Sequence, residues 1–193
     1  MKRNLIASII AVVVITAFFG FAYPAVMTGF AQLAFPNKAD GSLIKQNGTV
    51  VGSRLAAQEF KKPQYFHQRL SAVSFNAAGT SFANYGPTSP NLQKQVSDQI
   101  KAIMKLEGPY NPGMTVHDIP VDAVTTSASG IDPDISLAYA KLQAPRIAAV
   151  RHLSLDQVQQ LIDANTDGRF IGFFGEPGVN VLELNLALDK ETQ

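Results

Sequence analysis

Hydrophobic and polar positions are distributed very unevenly along this chain. No charged side chain occurs between Asn4 and Asn37, and Leu5 to Phe35 is a nearly unbroken run rich in Ile, Val, Ala and Phe. About twenty such residues suffice to cross a bilayer, so the run predicts a transmembrane helix. Past it the apolar positions become periodic and shorter elements follow. Asn47-Gly48 lies between Leu43–Gln46 and Thr49–Ser53, and both turn residues accept positive φ, which predicts a tight β-hairpin. Ser89-Pro90 opens a helix whose apolar stripe, Leu92, Val96, Ile100 and Ile103, ends at Gly108-Pro109. Asp132-Pro133 is expected to open a second helical stretch to about Leu142, with Pro145 in the first turn of a continuation through Val150. Ser154 and Gln157 form a capping box for a third helix carrying Leu155, Val158, Leu161 and Ile162. Gly172, Gly175 and Pro177-Gly178 then separate two apolar runs, Arg169 to Phe174 and Val179 to Leu188. Alternation of Leu182, Leu184, Leu186 and Leu188 with Glu183, Asn185 and Ala187 predicts a closing β-hairpin with its leucine face inward.

Between the first hairpin and the first amphipathic helix, Glu59 to Pro90 has no period. It holds Phe60, Tyr65, Phe66, Phe75, Phe82 and Tyr85 among Gly, Asn, Ser and Pro. A long irregular stretch in a compact domain is usually a binding surface or a disordered loop, and the aromatic content argues against disorder. The fold class is therefore α+β: an anchor over residues 1–35, then one mixed helix and strand domain over 36–193. That length can bury a core without staples.

Lys2 and Arg3 precede the apolar run, and a short basic flank stays cytoplasmic, which places the domain on the outer face of a bacterial-type inner membrane. A rival reading is a removed signal peptide, since Gly20-Phe21-Ala22 and Gly29-Phe30-Ala31 offer small residues at cleavage spacing. Such peptides have apolar regions of about 7 to 15 residues, shorter than this one. Pro24 should kink or tilt the span, and Ala7, Ser8, Ala11, Ala17 and Gly20 would let a partner helix approach.

Charge and composition narrow the function. The 16 basic and 15 acidic residues leave the domain at 14 against 15 once Lys2 and Arg3 are set aside. No basic face is available to neutralise phosphates, which argues against nucleic-acid binding. Cysteine is absent, which excludes thiolate metal sites, cysteine nucleophiles and disulfides. Neither a phosphate loop nor a dinucleotide fingerprint occurs, and Gly79-Thr80-Ser81 and Gly86-Pro87-Thr88 read as ordinary turns. His67, His117 and His152 lie too far apart for a zinc site of local spacing. Asp163, Asn165 and Asp167 followed by Gly168 match the first half of a calcium loop, but its twelfth position is Phe174 instead of an acid. Ser127 or Ser129 with His117 is the best nucleophile candidate, a hydroxyl-rich turn being the simpler reading. These residues describe a membrane-tethered binding or assembly module, with a tethered serine hydrolase as its rival.

A set of motifs goes further. Gly52-Ser53 through Gln58 and Phe60, Tyr65-Phe66-His67 with Arg69 and Ser71-Ala72, and Gly86-Pro87-Thr88-Ser89-Pro90 come first. The run Thr126 to Ser136 follows, then the block from Gly175-Glu176-Pro177 through Val179-Asn180-Val181-Leu182 to Asp189. In this order they resemble the C subunit of the Kdp potassium-transporting ATPase over essentially the whole chain. Gln68 and Leu70 stand where that family usually has Gly and Pro, and Asp134 where His is common. The resemblance implies a non-catalytic subunit of a high-affinity, ATP-driven potassium uptake complex. Its implied partners are a channel-like A subunit, a P-type ATPase B subunit and a small single-span F peptide. It further implies that the chain stabilises the channel-like subunit from outside and has a chaperone-like effect on ATP binding by the B subunit. An association with ATP rests on the resemblance alone, and no firmly bound cofactor or metal is expected. Because the charge pattern puts the domain opposite cytoplasmic ATP, any effect on nucleotide affinity should travel through the complex. Tyr65, Phe66, Phe75 and Tyr85 are the candidate partner-binding residues. Asp132 and Asp134 are candidates for lining an ion path, where carboxylate oxygens shape cation entry.

Overall fold

The computed structural model describes Met1 to Glu191, in two compact units that divide between Val51 and Gly52. In the first, α1 (Lys2–Ala17), a π-helical turn (Phe18–Ala22) and α2 (Tyr23–Ala34) form one helix of 33 residues with mean hydropathy 2.7 in its most apolar stretch. At 1.5 Å per residue it is about 50 Å long, more than the ~30 Å hydrocarbon layer needs. It is long and apolar enough to cross a membrane, and none of it is buried. Pro24 lacks an N–H and its ring crowds the carbonyl of Gly20. The wider π turn just before it absorbs that conflict without ending the helix. A short helix α3 (Pro36–Ala39) follows, then the two-stranded sheet of β1 (Leu43–Gln46) and β2 (Thr49–Ser53). Asn47 and Gly48 take φ of 50° and 78°, as the expected hairpin turn requires.

The second unit contains α4 (Pro90–Glu107), α5 (Val121–Val124), β3 (Asp134–Ser136), α6 (Leu137–Arg151), α7 (Leu155–Ala164), β4 (Thr166–Asp167), β5 (Gly178–Asn180) and α8 (Val181–Glu191). Its sheet is antiparallel in the order β3-β5-β4, with Ile135 and Thr166 both opposite Val179. Ile135, Ala140, Ile147, Val158, Ile162, Val179, Leu184 and Leu188 form the centre of the core. Ser154 and Gln157 make the expected capping box, each side chain taking the other's backbone N–H at 3.1 and 2.9 Å. From Arg54 to Ser89 there is no helix or strand apart from an isolated bridge of Leu70 to Thr126.

Two expectations are corrected. Asp132-Pro133 does not start a helix, because Asp134–Ser136 pairs with β5 and the helix begins at Leu137. Ser136 caps it by accepting the Tyr139 N–H at 3.0 Å. Pro145 sits inside α6, which runs unbroken to Arg151 and closes at His152 with φ of 57°. The second correction concerns the C-terminal run. Only Gly178–Asn180 is strand, and the leucine-rich segment is helix α8. Val181, Leu184, Asn185 and Leu188 are buried at the i, i+3, i+4, i+7 spacing of one helical face. Asn180 caps it by accepting the Glu183 N–H at 3.2 Å, and Leu, Glu and Ala are strong helix formers. Arg169 to Phe174 is likewise no strand partner but the loop that joins β4 to β5.

Candidate functional site

The irregular aromatic segment is built into the core as a strap. Phe66 is fully buried, so its ring packs inside the domain and cannot face a partner. This removes Phe66 from the candidate docking residues Tyr65, Phe66, Phe75 and Tyr85. A segment without helix or strand must find partners for its buried backbone groups elsewhere, and here amide side chains supply them. Asn185 of α8 accepts the Phe66 N–H at 2.8 Å and donates to the Phe66 carbonyl at 3.0 Å. Gln143 of α6 treats His67 the same way, at 2.7 and 3.1 Å. Each amide does the work of a neighbouring strand.

Arg146 organises this region from full burial. It donates to the carbonyls of Pro63 and Tyr65, to Gln143 Oε1 at 2.9 Å and to Glu107 Oε1 at 2.9 Å. Burial pushes the Glu107 carboxyl above its ordinary value against the opposing pull of Arg146. Arg151 donates to the Gln64 carbonyl and to Asp189 Oδ1, and its guanidinium lies 4.8 Å from the Tyr65 ring centre. Tyr65 is thus half-buried, its hydroxyl 3.2 Å from Asp189 Oδ2. Burial beside the Arg146 charge lowers the His67 pKa. Phe75 is half-buried on the wall of a cavity of about 370 Å³ that Phe60, His67, Ile103 and Tyr139 also line. Tyr85 remains 43% exposed. Of the four candidate docking residues, Tyr85 keeps the freest surface.

The two candidate ion-path acids do meet. Asp132 and Asp134 line one groove of about 490 Å³ together with Asp122, Glu176 and Arg69. Every one of these carboxylates already has a partner. Asp132 pairs with Arg69 Nη1 at 2.8 Å, and its other oxygen accepts the Asp134 N–H at 3.1 Å. Asp134 accepts from Asn180 Nδ2 at 3.1 Å, and Asp122 accepts both the N–H and the hydroxyl of Ser136 at 2.8 Å. Burial raises the Asp134 pKa, and the nearby charges of Asp132 and Asp167 push the same way. The groove is electronegative, and its acids also hold β3 and the start of α6 in place. Asp122 and Glu176 could not have been assigned to it from local spacing.

The serine candidates are engaged in the turn they belong to. Ser127 Oγ accepts the Gly130 N–H at 2.9 Å and Ser129 Oγ the Ile131 N–H at 3.2 Å. Gly130 has φ of 72°, and a Cβ there would lie 2.8 Å from the Ser81 carbonyl oxygen, so this turn requires glycine. His117 sits in a separate 3₁₀ turn, with no hydrogen bond to either serine among the described residues. In the half-matching calcium loop, Asp163 accepts from Gln159 and Asp167 pairs with Arg54.

Sequence reasoning missed the most exposed apolar feature of the folded unit. In the loop between β4 and β5, Phe170, Ile171, Phe173 and Phe174 are 71, 68, 64 and 57% exposed. The signal was present as an uncharged run, but an inward strand has the same one.

Comparison with known proteins matches this chain over nearly its whole length. The family model described as "KdpC: K+-transporting ATPase, c chain" matches residues 5–190. A potassium-transporting ATPase KdpC subunit of Burkholderia cenocepacia strain J2315 is 49% identical over 192 residues, covering 98% of this chain and 97% of the relative. The corresponding subunit of Koribacter versatilis is 44% identical over 191 residues, covering 98% and 95%. That of Rhodopseudomonas palustris strain BisB5 is 45% identical over 207 residues, covering all of both chains.

Proposed function

The chain belongs to the KdpC family, the c chains of K+-transporting ATPases, and from that premise we propose that it is a non-catalytic assembly subunit of such a complex. It joins a channel-like potassium-translocating subunit, a P-type ATPase subunit and a small single-span subunit, and it stabilises the first of these. Its apolar helix spans the inner membrane with the N-terminus cytoplasmic and the folded unit outside. It holds no resident cofactor, and ATP is bound by the ATPase subunit, whose affinity this chain raises only through the assembled complex.

The observation that carries this reading is where the reactive groups go. Ser127, Ser129, Asp122, Asp132 and Arg146 each hold a turn, a strand, a helix start or the aromatic strap in place. A domain whose hydroxyls and charges brace its own backbone is suited to rigid binding. A catalytic site would need them aimed at a substrate. Asp132 and Asp134 place carboxylate oxygens on an open groove, which suits a surface that draws cations toward a channel entrance.

The test is a mild-detergent pull-down of the tagged chain from its native membrane, with mass spectrometry of what accompanies it. Recovery of a multi-span channel-like protein and a P-type ATPase in fixed proportion is the expected result. Recovery of the chain alone, under conditions that keep other membrane complexes intact, would overturn the subunit reading.

A further inference from the structure

The loop from Arg169 to Glu176 is shaped as a finger. Phe170 and Phe174 bridge across its base, with N–H to carbonyl contacts of 2.8 and 3.0 Å. Arg169 donates to both Glu176 carboxylate oxygens at 2.9 and 2.8 Å, which leaves the base electrically neutral. Between these bonds stand Phe170, Ile171, Phe173 and Phe174, all exposed, with the Phe173 and Phe174 rings 4.2 Å apart. Ile171 adopts φ of 53°. A β-branched residue rarely takes that conformation, and strain of this kind persists where the surroundings fix the loop. The bonds across its base shape the finger, which presents its apolar side chains outward.

We infer that this finger inserts into the interfacial layer of a phospholipid bilayer. Three observations favour lipid over a protein groove. From Phe170 to Phe174 no side chain can donate or accept a hydrogen bond, whereas a protein interface carries about one hydrogen bond per 100 to 200 Å². Four of the five backbone N–H groups from Phe170 to Phe174 are satisfied within the loop, which lowers the cost of moving it out of water. The amides of Phe170, Gly172, Phe173 and Phe174 all donate within the loop, to Phe174, Arg169, Phe170 and Phe170 respectively. Finally, a bilayer is within reach. The segment between the apolar helix and the folded unit, residues 35–51, spans at most about 60 Å even when fully extended, and its helix and hairpin shorten it.

The chain contains no tryptophan, so Phe173→Trp installs a single reporter on the finger. The full chain carrying it is reconstituted into phosphatidylcholine vesicles with and without brominated acyl chains. The expected result is blue-shifted emission that loses most of its intensity in the brominated vesicles. Adding Ile171→Asp should reverse both effects by making the tip polar. Leu155→Trp, at the exposed start of α7, should give water-like emission that bromine does not touch. The inference is overturned if Phe173→Trp is quenched by aqueous iodide as readily as Leu155→Trp and is insensitive to bromine. It is equally overturned if shielding arises only when other membrane subunits are reconstituted alongside, which would make the finger a protein contact. The bromine and iodide readings are taken in vesicles that contain this chain alone, so they are independent of the pull-down result.

Discussion

Two aromatic segments of the folded unit have opposite fates. The strap from Pro63 to Gln68 has no regular structure yet carries a fully buried Phe66, and its backbone is held by Gln143, Arg146 and Asn185. The finger from Phe170 to Phe174 is tied only to itself and to the ends of two short strands, and its four large apolar side chains face outward. Aromatic content therefore does not decide burial here. What decides it is whether distant helices bring polar side chains to satisfy the segment's backbone. Gln143 and Asn185 do so for the strap, and nothing corresponding reaches the finger among the described residues.

The contrast is broken most severely at Arg146. Arg146→Ala leaves the Glu107 carboxylate buried without its partner and frees the carbonyls of Pro63 and Tyr65, so the full chain in detergent should lose about 3 to 5 kcal/mol in a denaturant titration. Asn185→Ala orphans both backbone groups of Phe66 and should cost about 2 to 4 kcal/mol by the same measurement. Gln68 sharpens the point in the other direction. The residue is 8% exposed, and both of its amide atoms lack a partner among the described residues. Gln68→Met keeps the volume and removes the orphaned polarity, so it should stabilise the domain by about 1 kcal/mol.

The strap should also respond to pH while the finger does not. Burial and then the Arg146 charge depress the His67 pKa below the ordinary 6.5, with the Lys62 carbonyl opposing. A depressed folded value means stability that is present above 6.5 and lost as pH falls through the folded value. Melting temperatures taken across that range should fall on the acid side, and His67→Gln should flatten the slope. The smallest effect belongs to the finger: Phe170→Ser should change stability by no more than about 0.5 kcal/mol, as surface substitutions do.

Local chemistry was legible in the sequence wherever a few adjacent residues determine the structure. Asn47-Gly48, Ser89-Pro90 and the pair Ser154 and Gln157 each marked an element that the structure contains. The strap was not legible, because its partners lie 76 to 119 residues away. Helix α8 was readable in principle. Asn180 three residues before Glu183 is a helix-start signal, but alternating leucines satisfy strand and helix spacing alike. Asp132 and Asp134, the candidate ion-path acids, stand two residues apart in the chain and line one groove. Asp122 joins them through its bonds to Ser136, and Glu176 through the pairing of β3 with β5, neither of which is local in sequence.

Native-state hydrogen exchange on the full chain in detergent tests the central contrast most directly. The amides of Phe66 and His67 should exchange only through opening of the whole folded unit, with protection equal to that of α6. Those of Phe170 to Phe174 should exchange through local opening, orders of magnitude faster. Rapid exchange at Phe66 and His67 would show that the strap is a surface segment after all and would contradict this account.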